Sequence, residues 1–308
     1  MEISVQQLRM LREVANQGTI AAAAERLGYT PSAVSQQLSA AEKVTGIAVL
    51  ERTGRNVMLT DAGRELVRHA ELVLTHLEQA QAAVERVHGA VAGTIRLGFI
   101  ESIGASMLGP LLGRLRADYP DLSVRTRWVE GADPLALVRT GELDMAFEID
   151  YPSAPSPIPA DLATEQVCVD WFRIVAPSKR WARTPPTVLD IAELAGDDFI
   201  APPWADSCGR AVTLTCRRAG FEPDLAHEVP DYPTTLRLVS AGIGVSLIPD
   251  LGLRSIPDGV VVIDPAEPVC RTVELAYRKS SGERPAIRTV ADAVHQLAVD
   301  LGLDRGEA

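Results

Sequence analysis

Apolar residues recur every three or four positions through the first ninety residues, which is the period of amphipathic helices. Four helices follow from this pattern and from the residues that flank it. Ser4 opens a Ser-x-x-Gln capping box, and Thr19, Thr30 and Thr60 stand where N-caps are expected. The predicted helices cover about 5–17, 20–27, 31–42 and 61–88.

The third predicted helix has two contrasting faces. Val34, Leu38 and Ala41 form its apolar side. A tight turn at Gly28-Tyr29 joins it to the second helix, so the pair has the form of a helix-turn-helix that reads a major groove. The alternative is an ordinary helical hairpin with a solvated polar face. The candidate DNA-binding residues on this helix are Thr30, Pro31, Ser32, Ser35, Gln36, Gln37 and Ser39.

The segment from Leu50 to Thr60 predicts a short β-hairpin with Gly54 near its tip. Arg52 and Arg55 lie around that tip, and a basic wing of this kind contacts backbone phosphate. We therefore expect residues 1–60 to form an all-α winged helix-turn-helix domain.

These residues resemble the LysR-type transcriptional regulators, from about Leu8 to Gly63. Three positions depart from the family's usual residues: Ala41 replaces Leu, Leu50 replaces Phe and Gln36 replaces Arg. The matching residues are Ala22-Ala23-Ala24-Glu25-Arg26-Leu27, Thr30-Pro31-Ser32-Ala33-Val34-Ser35-Gln36-Gln37-Leu38, Glu42, Gly46, Arg52 and Leu59-Thr60-Asp61-Ala62-Gly63.

Residues 61–89 are expected to form a linker helix with an apolar seam of the heptad type. A single helix cannot bury such a seam on itself, so a partner helix is expected. Packing on its own domain is the alternative, and the resemblance favours a homodimer, with a tetramer as the further assembly. The seam consists of Ala62, Leu66, Ala70, Val73, Leu77, Ala80, Val84 and Val87.

Strand and helix patterns alternate after Gly93, which predicts an α/β fold with a mainly parallel sheet. The LysR resemblance adds two α/β subdomains like those of periplasmic solute-binding proteins, with an effector in the cleft between them. Subdomain I is expected to comprise residues 90–150 and 266–308, and subdomain II residues 151–265. Matching segments are Gly141-Glu142-Leu143-Asp144, Ala219-Gly220-Phe221-Glu222-Pro223 and Val239-Ser240-Ala241-Gly242-Ile243-Gly244-Val245-Ser246-Leu247-Ile248-Pro249.

Ligands of open α/β sheets bind beyond the carboxyl ends of the strands. The sequence therefore predicts a small metabolite between Ser102 and the segment 201–207, with a carboxylate as one option and a cationic or neutral ligand as the other. A purely capping role is the alternative for any one of these residues. The candidate effector-binding residues are Glu101, Ser102, Ile103, Ala201, Pro202, Pro203, Trp204, Ser207 and Tyr232.

Cys208 and Cys216 lie in the stretch where the peroxide-sensing branch of the family has two cysteines. A helix N-terminus and Arg210 are expected to lower the pKa of Cys208. Eight residues along one helix correspond to about 12 Å of rise, which is too far for a disulfide without unfolding. The simpler interpretation is that both are small packing residues.

Composition narrows the remaining classes of protein. The net charge is −11. Residues 1–89 contain 9 basic and 10 acidic residues, so the excess of acidic residues lies in the rest of the chain. The negative net charge argues against a nucleoid protein. We expect a cytoplasmic regulator with double-stranded DNA and a small-molecule effector as partners and no membrane segment. No cofactor, metal site or catalytic residue is expected, because nucleophile-elbow, phosphate-loop and metal-cluster motifs are missing. The alternative is a solute-binding protein or enzyme on the same fold without a DNA role.

Overall fold

The computed structural model describes residues 2–53, 56–89, 91–129, 133–152, 155, 157–181 and 184–303. The chain divides into two compact units. The first comprises Met1–Ala90 with Glu283–Pro285, and the second comprises Val91–Gly282 with Ala286–Ala308. In the part of the chain covered here, no helix has both the length and the apolar character that a membrane span requires.

The first unit consists of helices and one hairpin, at the predicted places. The Ser4 side chain accepts a hydrogen bond from Gln7 N, and the Gln7 side chain accepts one from Ser4 N, which completes the capping box. The third helix is three residues longer than predicted because Gly46, at φ 72°, provides the left-handed stop. The elements are α1 Val5–Gln17, α2 Ile20–Leu27, α3 Pro31–Thr45, β1 Leu50–Thr53, β2 Asn56–Leu59 and α4 Asp61–His88.

Small and medium apolar side chains from α1, α2 and α3 form the core of this unit. Ala23 and Ala24 on α2 are fully buried, so α2 packs closely on its neighbours. Val34 and Leu38 on α3 are buried against them, as predicted. A salt bridge from Arg26 Nε to Glu13 Oε1, at 2.6 Å, links α2 to the buried face of α1.

The β1–β2 hairpin is fixed by hydrogen bonds at its base. The Glu42 carboxylate accepts from Val49 N at 2.9 Å and from Leu50 N at 3.2 Å. Thr60 Oγ1 donates to Ala48 O at 2.7 Å and also caps α4. α3, the hairpin and the start of α4 are therefore joined by backbone contacts that the sequence pattern did not reveal.

The second unit contains one large sheet, a small sheet and the remaining helices. A single π-helical turn, Gly104–Leu108, lies between α5 and α6, so the segment predicted as a loop at Glu101–Gly104 is helical from Glu101 onwards. The elements are β3 Gly93–Phe99, α5 Glu101–Ile103, α6 Gly109–Asp118, β4 Leu122–Trp128, α7 Pro134–Arg139, β5 Met145–Asp150, β6 Leu162–Pro177, β7 Val188–Leu189, β8 Asp198–Ala201, α8 Ser207–Arg218, β9 Asp224–Glu228, α9 Tyr232–Ser240, β10 Ser246–Pro249, β11 Val260–Pro265, β12 Cys270–Arg278 and α10 Pro285–Asp300.

The large sheet has the strand order β4-β3-β5-β12-β6-β11-β7, and β10 also pairs with β6. The prediction of a mainly parallel sheet is wrong. β3 is parallel to β4 and β5, but β12 is antiparallel to both β5 and β6, and β10 and β11 are antiparallel to β6. The antiparallel pairs arise because β6 and β12 carry the chain between two separate hydrophobic cores.

The two largest cores pack on opposite ends of β6, and the first also packs on β12. The first core contains Leu97, Met107 and Phe147 together with Leu275 and Val290. The last strand and helix therefore return to the first α/β half, as predicted. The second core draws on the C-terminal half of β6 and on β8, α8, β10 and β11, and its fully or almost fully buried members include Ile174, Phe199, Val212, Leu247 and Ile263.

Gly63 is a position where the fold of the first unit excludes a side chain. A Cβ at Gly63 would lie 2.0 Å from Val49 O, whereas a Cβ at Gly113, inside α6, would meet nothing within 4 Å. We expect Gly63→Ala to lower the free energy of unfolding by about 1–3 kcal/mol, because the hairpin must move away from α4.

Urea denaturation of the full chain, followed through the transitions of both units, measures this loss. Gly113→Ala is the matched control and is expected to be neutral or to stabilise by up to about 1 kcal/mol. Equal effects of the two substitutions would contradict the close approach of Val49 to α4.

Candidate functional site

The polar face of α3 is open to solvent at its N-terminal end. Thr30 caps the helix by accepting from Ala33 N at 3.2 Å, and its Oγ1 lies 3.0 Å from Ser32 Oγ. Pro31 and Ser32 are exposed beside it. A helix N-terminus with exposed hydroxyl groups favours phosphate oxygens through its dipole and its free N–H groups.

The remaining candidates on α3 differ in exposure. Gln36 and Ser39 are exposed, whereas Ser35 and Gln37 are half-buried. Gln37 Oε1 accepts a hydrogen bond from Gln7 Nε2 on α1 at 3.3 Å, so Gln37 also holds α3 on α1. Gln36 is therefore the glutamine whose amide is available to pair with a base edge, as glutamine does with adenine.

The predicted wing is present as an antiparallel hairpin in which Leu50 pairs with Leu59 and Thr53 with Asn56. Arg52 lies on β1 opposite Val57. Gly54 and Arg55, the predicted tip, lie outside the described residues.

Exposure along α4 divides the predicted apolar seam into two parts. Leu66 is half-buried and Ala70 fully buried, and Leu66 packs against the core of the first unit. From Val73 onwards the seam positions are exposed, with 70% exposure at Val84 and 89% at Val87. The first part of the seam thus packs on its own domain, and the second part is an uncovered apolar stripe.

A cavity of about 490 Å³ lies between the two halves of the second unit. One wall comes from the first half, through Ser102, the start of α7 and the end of β5. The opposite wall comes from the N-terminal turn of α8 and from Tyr232 on α9. A cavity of this size that mixes apolar and polar groups is typical of a small-molecule site.

A buried arginine forms the floor of this cavity. Arg271 is 2% exposed, and its Nε and Nη2 donate to Asp170 Oδ2 at 2.9 and 2.8 Å. Nη2 also donates to Ser102 Oγ at 2.8 Å, and Nη1 donates to the hydroxyl oxygens of Tyr151 and Tyr232, each at 3.4 Å. Burial opposes the charged form of Arg271, but the contacts with Tyr232 and Asp170 raise its pKa above the ordinary value.

Three of the nine predicted effector residues line this cavity together: Ser102, Ser207 and Tyr232. Glu101 contacts the other half of the unit instead, because its carboxylate accepts from Tyr232 N at 3.3 Å. It lines a separate cavity beside α9.

The remaining predicted effector residues do not line this cavity. Ile103 and Ala201 are buried in the two hydrophobic cores. Trp204 is 46% exposed, and the Arg217 guanidinium stacks on its ring at 5.0 Å from the ring centroid. Pro202 and Pro203 form the turn before α8, where their carbonyl oxygens lie so close to Gly209 that a Cβ there would be 2.3 Å away.

Sequence reasoning missed Arg271, Asp170 and Tyr151. The signal was a single charged residue inside an apolar strand: Asp170 lies between Val169 and Trp171, and Arg271 follows Val269-Cys270. A buried charge in a strand requires a partner of opposite charge, although the pattern does not say which strand supplies it.

Both cysteines of α8 are buried and free, so the expectation that the pKa of Cys208 is lowered is wrong. Burial raises the pKa of the Cys208 thiol, and it raises the pKa of Cys216 to about 12. The arginine whose charge opposes this rise at Cys208 is Arg271, whereas the Arg210 Nη1 donates to Ala205 O at 2.9 Å. The packing interpretation is favoured for both residues.

The described residues contain no group of three or more His, Cys, Asp or Glu side chains arranged to hold a metal ion.

Two family models cover most of the sequence. The LysR substrate binding domain matches residues 88–298, and the bacterial regulatory helix-turn-helix protein of the lysR family matches residues 5–64. The chain belongs to the LysR family. A relative, the HTH-type transcriptional regulator ShiR of Corynebacterium glutamicum (strain R), is 30% identical over 91% of this chain and 92% of its own length.

Solved structures of LysR-family proteins have the same fold. A full-length OxyR from Pseudomonas aeruginosa superposes with a TM-score of 0.73 at 22% identity and covers 100% of both chains. Full-length CbnR in complex with its target DNA has a TM-score of 0.54 at 21% identity and covers 96% of this chain and 99% of CbnR. The predicted fold class, a winged helix-turn-helix followed by an α/β effector domain, is confirmed.

Membership of the family establishes the general function. This LysR-type protein is a transcription regulator that binds DNA through its helix-turn-helix domain and a small-molecule effector through its substrate-binding domain. The matched families are those of regulators and not of enzymes.

The buried pair beneath the cavity gives a direct test of the second unit. We expect Asp170→Asn to lower the free energy of unfolding by about 3–5 kcal/mol, because it leaves the Arg271 charge buried without a counter-ion. Thermal and urea denaturation measure the change.

Asp264→Asn is the control, since Asp264 is exposed and its partner Arg173 keeps a second carboxylate, Asp250, at 2.7 Å. Its effect is expected to stay within about 1 kcal/mol. Similar losses for the two variants would show that the Arg271 pair is not a special buried interaction.

Proposed function

We propose that two copies of α3, one from each chain of a dimer, enter the DNA major groove and read a paired site. The observation that carries this proposal is the exposed polar face of α3 beside a fixed hairpin. Thr30 and Ser32 are assigned to phosphate contacts at the helix N-terminus, with Pro31 in van der Waals contact with the DNA backbone. Gln36 and Ser39 are assigned to base edges, with Ser35 and Gln37 at the margin of the contact and Arg52 and Arg55 on the wing.

The division of the chain into compact units supports a regulator in which DNA binding and effector binding belong to different domains. We assign residues 1–60 to DNA binding, residues 61–89 to dimerisation, residues 90–150 and 266–308 to effector subdomain I, and residues 151–265 to subdomain II. The two hydrophobic cores joined by β6 and β12 support the last two assignments. A regulator of this kind acts where DNA is present, so we assign it to the cytoplasm.

The effector is proposed to bind in the 490 Å³ cavity against Ser102, Ser207 and Tyr232. Arg271 is the positioning residue, because it holds hydroxyl groups from α5 and α9 at one point. A ligand that accepts or donates hydrogen bonds here changes how the two halves contact each other. This change is the proposed signal to the DNA-binding heads.

The dimer contact is assigned to the exposed part of the α4 seam. Val73, Leu77, Ala80, Val84 and Val87 follow steps of three and four residues and are exposed in the single chain. An equivalent stripe on a second copy covers such positions by coiled-coil packing.

Gln36→Ala tests base reading. We expect it to weaken binding to a DNA fragment from upstream of the protein's own coding region by about 1–3 kcal/mol, because the amide pairs with a base edge. Binding to an unrelated competitor fragment is expected to change little, since phosphate contacts supply that affinity. Titration by fluorescence anisotropy at fixed salt measures both affinities.

Gln81→Ala is the control, because Gln81 is an exposed glutamine on α4 away from α3. A Gln36→Ala protein with the wild-type ratio of specific to competitor affinity would contradict the proposed role of α3.

Val84→Glu tests the dimer contact. A charge within the exposed seam is expected to convert the dimer into monomers, as measured by sedimentation at micromolar concentration. Gln79→Glu adds the same charge at an exposed position off the seam and is expected to leave the mass unchanged. A dimeric Val84→Glu protein would reject α4 as the contact.

A further inference from the structure

Glu148 is a carboxylate in the cavity wall that forms no ion pair with any of the described residues, although the Ile149 backbone donates to it. It lies on β5, between the buried Phe147 and the half-buried Ile149, and it lines the cavity. Its Oε2 is buried, and among the described residues it has no hydrogen-bond partner. An unsatisfied buried carboxylate oxygen is costly, so it requires a physical explanation.

The neighbouring strand makes this arrangement less favourable still. Glu274 on β12 is the direct cross-strand partner of Glu148, and its Oε2 is likewise buried without a hydrogen-bond partner in the described structure. Side chains at directly opposed positions lie about 5 Å apart, and like charges there destabilise a sheet.

Most other charged side chains around the cavity already have hydrogen-bond or ion-pair partners. Asp133 Oδ1 accepts from Ala136 N at 2.9 Å, and Asp206 Oδ1 accepts from Cys208 N at 2.7 Å, so each carboxylate caps a helix. Arg271 is neutralised by Asp170. Arg210 donates to a main-chain carbonyl, and Arg139 is exposed on α7. Among the described residues that line the cavity, the buried charged atom without a hydrogen-bond partner is therefore the acidic Glu148 Oε2.

We propose that Glu148 determines the effector class by binding a protonated amine of the ligand, whose apolar part packs against the cavity wall formed by Val129, Leu135 and Ile149. This inference rests on the proposed effector site and deepens it. The terminal torsion of a glutamate is broad, so the carboxylate can turn both oxygens towards an ammonium group. Ser102 and the two tyrosines then offer neutral hydroxyl groups to the rest of the ligand.

The titration of Glu148 agrees with this geometry. Burial, followed by the charges of Asp133, Glu274 and Asp150, raises the pKa of Glu148 to about 7. The folded protein therefore retains a proton that the unfolded chain releases near pH 4.5, and Glu148 reduces stability as pH rises from about 4.5 to 7. An ammonium ligand must displace this proton, so its binding is linked to pH.

Three five-carbon probes test the ligand class: 1,5-diaminopentane, 5-aminopentanoate and pentanedioate. Isothermal titration of the full-length protein between pH 5.5 and 8.5 is expected to show binding of the two amines and none of the dianion. Below pH 7 the amine affinity is expected to rise about tenfold per pH unit, and above pH 7 to level off, because one proton is displaced.

Glu148→Gln is expected to weaken amine binding at least about tenfold and to abolish the pH dependence, since it removes a charge-assisted hydrogen bond. It is also expected to raise the Tm above pH 7 relative to the wild type. Glu228→Gln, at an exposed position on β9, is the control and is expected to leave the affinity, pH profile and Tm unchanged.

A second variant keeps the test independent of the folding of Glu148→Gln. Glu274→Gln removes the opposing charge, so the pH midpoint of amine binding is expected to move to lower pH. Tighter binding of pentanedioate than of the amines, an unchanged amine affinity in Glu148→Gln, or no pH-linked amine binding by the wild type would overturn the inference.

A parallel gel-shift assay on the upstream DNA fragment separates this inference from the proposed function. If the protein binds that DNA but these results fail, only the ligand class is rejected. Failure to bind the DNA would reject the proposed function itself.

Discussion

The buried guanidinium of Arg271 is the constraint around which the second unit is organised. A charge placed where water is excluded must be paired and hydrogen-bonded, so its partners have to meet at one point. Those partners come from β6, α5, α9 and the segment after β5, through Asp170, Ser102, Tyr232 and Tyr151. Asp170 is fixed in turn, because its second oxygen accepts from Leu251 N at 3.0 Å.

This cluster lies where the two hydrophobic cores share their strands. β6 spans sixteen residues and serves both cores, and β12 runs beside it from Cys270 to Arg278. The cavity opens directly above the polar cluster and between the cores. A ligand that contacts these hydroxyl groups therefore contacts both halves of the effector domain at once, which is the property that a sensor requires.

Local chemistry made the first unit predictable. Ser4, Thr19, Thr30 and Thr60 cap their helices in the structure as the sequence indicated, and Gly18, Gly28, Gly46 and Gly89 end them with positive φ. The contacts that fix the hairpin were not predictable, because Glu42 reaches two amide groups seven and eight residues away. Such contacts depend on tertiary position and leave no periodic trace in the sequence.

In the second unit, long-range pairing limited what the sequence revealed. β7 has two residues and β9 is mostly exposed, so neither produces a strong apolar pattern. The direction of β12 depends on its partners β5 and β6, which precede it by about a hundred residues. The same dependence on long-range pairing explains why only part of the site was predicted. Ser102 and Tyr232 were predicted because they lie next to strand ends and helix starts. Asp170 and Arg271 were not predicted, because they meet only after the sheet has formed.

Footprinting of the purified protein on the DNA upstream of its own coding region tests whether two α3 helices bind DNA together. We expect two protected half-sites whose centres are separated by a whole number of DNA turns, about 10–10.5 base pairs each. We also expect the protection to weaken steeply as salt is raised. A single protected half-site, or no protection at low salt, would contradict this expectation.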